Sequence, residues 1–175
     1  MKSLNYKAIT FLLLLIALNG CKPDEAINPK KYVPIPGYIN DDNPSNTGDG
    51  LPLGPQGTVK FQIDGVVTTY TNASFEVFYP NSPEAFLSPQ TGQVNILATG
   101  ANPAHDLFSL VFLNSKVGTF NIYLINTIDL LGGEKAGKVK VTTLSEGVLQ
   151  GSFNANVAGD DNKTHQVIGS FNIKM

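Results

Sequence analysis

Two runs near the C-terminus constrain this chain more than anything else in it. Leu149, Gly151, Phe153, Ala155 and Val157 alternate with Gln150, Ser152, Asn154 and Asn156, and Val167, Gly169, Phe171 and Ile173 share one parity in the second run. A period of two sends alternate side chains to opposite faces, so both runs read as strands with one buried face. The tetrapeptide Gly-Ser-Phe-Asn occurs in each, at 151–154 and at 169–172. If the strands pair around a turn centred near Asp161, Phe153 faces Gly169 and Phe171 faces Gly151. Each ring then covers the bare backbone of a glycine on the core face.

The same period runs through the chain from Thr58 onward. Val59, Phe61 and Ile63 alternate with polar residues, and Asp64-Gly65 marks a tight hairpin turn into 66–71. Further strands are expected over 75–79, 94–99, 107–113, 119–125, 138–143, 148–157 and 164–174. Sustained i, i+3, i+4 spacing is missing, and 83–87 offers one helical turn at most. Short strands joined by Gly, Asn and Asp turns predict an all-β domain over 58–175. Its expected form is a single antiparallel β-sandwich or flattened up-and-down barrel of about 8–9 strands.

The N-terminal third is built differently. Lys2 and Lys7 precede an apolar run from Ala8 to Leu18, which ends at Asn19-Gly20-Cys21. A transmembrane helix needs about 20 apolar residues, and this run is too short. Its basic start, apolar centre and small residue before Cys21 have the layout of a signal peptide over 1–20. Cys21 is the only cysteine among the 175 residues, which excludes an intramolecular disulfide. Residues 21–57 then hold seven of the eleven prolines, together with Gly37, Gly48, Gly50 and Gly54. Such spacing sustains neither structural period and predicts a disordered, extended linker. Within it Asp41, Asn43, Ser45, Thr47 and Asp49 alternate like calcium-loop ligands. Asn46 stands where that loop needs Gly and Pro52 where it needs Glu, so linker is the better reading.

Gly20-Cys21 at the end of this signal resembles the lipobox of bacterial lipoproteins. The resemblance implies cleavage before Cys21 and a lipid on its sulfur, anchoring the chain without spanning the bilayer. Lys22-Pro23-Asp24-Glu25 resembles the surface-export signal of Bacteroidetes lipoproteins; the same residues also serve as the charged start of a linker. Val59-Lys60-Phe61-Gln62-Ile63-Asp64-Gly65, Val139-Lys140-Val141-Thr142 and the two Gly-Ser-Phe-Asn strands resemble small Bacteroidetes lipoproteins of uncharacterised function. The resemblance implies a lipid-anchored protein of the outer membrane, surface-exposed or periplasmic, with no catalytic residues carried over.

Composition and motifs narrow the function classes. There is no Arg, and without Lys2 and Lys7 the formal charge moves from −2 to −4. Nucleic-acid binding, which depends on basic patches, is therefore not expected. The two histidines, His105 and His165, lie outside any metal-ligand spacing. His105-Asp106 is too small a ligand set for a metal, and Asp160-Asp161-Asn162 reads as turn chemistry. No nucleophile elbow is present. No catalytic residue, metal or cofactor is expected. Three classes remain: a non-catalytic module binding an envelope protein or glycan, a lipocalin-like carrier of a small apolar ligand, and, last, a hydrolase with unrecognised acids.

Overall fold

The computed structural model describes residues 46–175 apart from Asp129. It is all-β: β1 (Thr58–Ile63), β2 (Val66–Tyr70), β3 (Asn72–Phe78), β4 (Gln93–Thr99), β5 (Leu107–Phe112), β6 (Gly118–Thr127), β7 (Leu130–Gly132), β8 (Gly137–Ser145), β9 (Val148–Gly159) and β10 (Thr164–Lys174). Every pairing is antiparallel, in the order β2-β1-β10-β9-β7-β6-β5-β4-β3, with β8 also lying between β6 and β9.

The two ends of that order are one piece of chain. Only Thr71 separates β2 from β3, so a single bent strand pairs with β1 through its first half and with β4 through its second. The ladder can be followed round the sheet from Val67 through Gln62, Ile168, Asn154 and Lys138 to Asn121. From the next residue, Ile122, it continues through Phe112 and Val94 and returns to the starting segment at Val77. A sheet that meets itself with such a stagger is a closed barrel. It is flattened: β1, β10, β9 and β8 form one wall and β3 to β6 the other, packed face to face as in a sandwich.

Alternation fills the space between the walls. Phe61, Phe108, Phe112, Phe153 and Phe171 are all fully buried. Phe61 of β1 stacks on Phe108 of β5 with centroids 5.3 Å apart, and Phe108 lies 5.4 Å from Phe153 of β9. Tyr70 meets the Phe61 ring edge-on at 5.2 Å. Burying one such ring is worth about 1.5–3 kcal/mol, and no disulfide supplements it.

The expected register of the last hairpin is the observed one: Phe153 lies opposite Gly169 and Phe171 opposite Gly151. A Cβ on Gly151 would sit 2.5 Å from Cζ of Phe171, and one on Gly169 would run into the Phe153 ring. The Asp64-Gly65 turn is also as expected, with φ of 46° and 94°, the left-handed pair of a type I′ hairpin. The strand count is a correction, ten where about 8–9 were expected. The addition is β7, a three-residue strand that fills the gap where β6 and β9 diverge beyond the end of β8. Leu130-Leu131-Gly132 is too short to show a period.

A second correction concerns the linker. Residues 22–45 lie outside the described residues, but 46–57 are laid on the sheet as a strap. Alternation leaves Ser152, Ser170 and Asn172 on the outer face of β9 and β10, and they reach the strap carbonyls. Ser152 Oγ donates to Gly48 O at 2.8 Å, Ser170 Oγ to Pro52 O at 3.0 Å and Asn172 Nδ2 to Gly54 O at 2.9 Å. Asn46 Nδ2 donates to Asn154 O at 3.1 Å, and Lys140 Nζ of β8 to Asp49 at 2.7 Å. Gly50 rests directly on the carbonyls of Phe153 and Gly169, where no Cβ would fit. Outward-facing Ser170 is consequently fully buried.

Candidate functional site

With the interior filled, the groups capable of recognition or chemistry lie on the surface. Two places gather them. The first is built by two hairpin turns and the start of β10. The Asp64-Gly65 turn carries the Asp64 carboxylate toward β10, where Oδ1 accepts from Gln166 N at 3.2 Å. The β9–β10 turn closes with Gly159 N donating to Lys163 O at 2.9 Å and Lys163 N to Asp161 Oδ1 at 3.0 Å. His165 stands between them, its Nδ1 2.5 Å from Asp64 Oδ2 and its Nε2 3.0 Å from Asp161 Oδ1. Gly159 leaves room for the ring, since a Cβ there would lie 2.8 Å from Nε2.

The electrostatics follow from this geometry. An imidazolium donates from both nitrogens, so two carboxylates favour the charged form. Asp161 first and Asp64 second push the His165 pKa up. His165, followed by the Lys163 backbone N–H, holds Asp161 down at about 2. Leu130, Gly159 and Asp160 complete an open cleft of about 460 Å³ beside the ring. Chemically the cluster is a clamp between two turns: with both ring nitrogens taken, the histidine has no lone pair directed at a substrate.

The second place is a cleft of about 420 Å³ along β6, lined by Phe120, Asn121, Tyr123, Glu134 and Lys138 among others. It lies where the β5–β6 ladder slips between Val111 and Phe112, leaving Tyr123 as the extra residue of a bulge. Phe120 is half-buried and stacked on Phe112 at 6.0 Å. Lys138 Nζ donates to Asn121 Oδ1 at 2.6 Å. The cleft thus sets two aromatic rings beside an amide, an ammonium and a carboxylate, a mixture suited to a polar ligand with an apolar face.

Several residues singled out from the sequence fall elsewhere. Cys21 lies outside the described residues. His105 is exposed, and its backbone N–H donates to Asn102 O within the β4–β5 loop. Asp106 accepts there from Asn102 N at 2.9 Å, as a turn residue does. Its charge, after burial, pushes the Tyr70 hydroxyl pKa up. Asp161 and Asn162 are turn residues as expected, but Asp161 also belongs to the clamp, which sequence reasoning missed. The signals were the turn chemistry at Asp64 and Asp161 and the four-residue spacing of Asp161 and His165; nothing local connects Asp64 to His165, 101 positions away. Of the calcium-like residues, Thr47 donates to Asp49 at 2.6 Å, and Asp49 is ion-paired with Lys140. Among the described residues, no group of three or more His, Cys, Asp or Glu is placed to hold a metal.

The chain matches no family model, no curated protein sequence and no solved structure.

Proposed function

We propose that this is a lipid-anchored protein of the bacterial outer membrane, held through Cys21, whose barrel is a non-catalytic module binding an envelope protein or glycan at its surface. The observation that carries the binding reading is the filled interior. Phe61, Phe108 and Phe153 pack against one another across the barrel, in the place where a carrier would hold its ligand. His165, engaged at both nitrogens, lends the hydrolase reading no support. The β6 cleft is the best-equipped recognition surface, and the resemblance to small Bacteroidetes lipoproteins favours the envelope location.

The test is purification from membranes with the native anchor, followed by identification of bound proteins and glycans, for the parent and for Lys138→Glu. The expected result is a partner retained by the parent and lost from the variant, with Cys21→Ala absent from the membrane fraction. A stoichiometric apolar ligand in both proteins would replace the binding reading with the carrier.

A further inference from the structure

Strand β2 has a neighbour on one side only. Its ladder to β1 runs from Ile63↔Val66 to Val59↔Tyr70, and it stands at one end of the sheet order. The continuation of the same segment, β3, takes its partner from β4. In a hairpin closed by a two-residue turn, the residues flanking the turn exchange both hydrogen bonds, and so does every second pair after them. Ile63–Val66, Phe61–Thr68 and Val59–Tyr70 are therefore the bonded pairs. The N–H and C=O of Val67 and Thr69 point the other way, and among the described residues no strand takes them. A buried edge could not tolerate this, but here Val66 and Val67 are 71% and 51% exposed.

Natural edges are normally blunted by a charge, a proline or a bulge. Val66-Val67-Thr68-Thr69 has none of these and consists wholly of β-branched residues, the strongest strand formers. The unpaired groups also carry a symmetry. One donor and one acceptor on Val67, and one of each on Thr69, flank Thr68 evenly, and no like charges oppose one another when this edge meets its own copy. An identical edge, turned end for end, presents the complementary set.

We propose that β2 is a homodimerisation edge, pairing antiparallel with β2 of a second copy about a two-fold axis at Thr68. Val67 exchanges both backbone hydrogen bonds with the second copy's Thr69, and Thr69 does the same with the second copy's Val67. All four outward groups of each copy are then satisfied. The two Thr68 residues face one another as a non-bonded pair, with Cα atoms about 4.5 Å apart. The contact is isologous and closes on itself, so it yields dimers and not fibres.

The test uses the chain from residue 21 with Cys21→Ala, followed by sedimentation across a concentration series. A reversible dimer is expected. Val67→Pro removes an outward donor without touching the ladder to β1 and should raise the dimer Kd at least tenfold with little change in Tm. Thr69→Lys, which sets charges against the opposing edge, should do the same and covers the case in which the proline variant fails to fold. With no other cysteine present, Thr68→Cys should form a disulfide-linked dimer on oxidation, since the pair separation suits the bond. A chain that stays monomeric throughout overturns the proposal. So does a dimer indifferent to Val67→Pro and Thr69→Lys, or an edge occupied instead by a strand from a different protein.

Discussion

Phe153 and Phe171 each lie over a glycine of the opposite strand, and that exchange fixes the register of the longest hairpin in the molecule. Truncating a buried Phe to Ala typically costs about 3–5 kcal/mol, against a total of roughly 5–15 kcal/mol for a domain. Phe153→Ala should therefore lower the melting temperature sharply, while Lys174→Ala at the exposed end of the same hairpin should leave it nearly unchanged. Equal melting of the two variants would contradict the core assignment. His165 gives a pH-dependent counterpart. Its pKa is raised above the ordinary 6.5, so its contribution to stability is complete below that value and is lost as pH rises through the raised one. Asp161, held at about 2 against an ordinary 3.8, contributes above 3.8, and that contribution is lost as pH falls through about 2. Thermal unfolding from pH 5 to 9 should thus show the parent losing more stability on the alkaline side than His165→Gln. Parallel curves for the two proteins would dissolve the clamp.

The elements divide sharply into those legible in the sequence and those not. Period-two alternation sufficed for β9, β10 and the β1–β2 hairpin, because each pattern and its turn lie within a short stretch of chain. The strap was misread because its holding groups are far away: Asn172 and Gly54 are 118 positions apart, as are Ser170 and Pro52. Proline and glycine content reports that a segment makes no ladder of its own; it says nothing about carbonyls accepted by serines on a distant strand. Gly50 is the sensitive point, since it rests directly on the β9 and β10 backbone. Limited proteolysis of the parent should spare 46–57, which the β9 and β10 side chains hold. Gly50→Val should open 46–57 to cleavage while the barrel strands resist. If 46–57 is cut as fast in the parent as in the variant, the strap is not held as described.

At the scale of the whole molecule, closure follows from one bent strand and the interior from five buried phenylalanines. The closure was not readable locally, whereas Phe61, Phe153 and Phe171 already fell on one face of an alternating run. The alternation left sandwich and barrel open, because only the crossing at Thr71 decides whether the two ends of the sheet join. The candidate sites were hidden for the same reason: Asp64 and His165 are 101 positions apart, and the β6 cleft depends on a bulge that no residue in it announces. For the surface-binding module proposed above, the place at which the barrel is anchored is part of the proposal. The most direct measurement is the intact mass of the protein extracted from membranes, compared with that of Cys21→Ala. The expected mass is residues 21–175 carrying a diacylglycerol on Cys21, with or without a further acyl group on its amine, and no such species from the variant. A membrane-bound protein that retains residues 1–20, or one with an unmodified Cys21, would contradict the anchor.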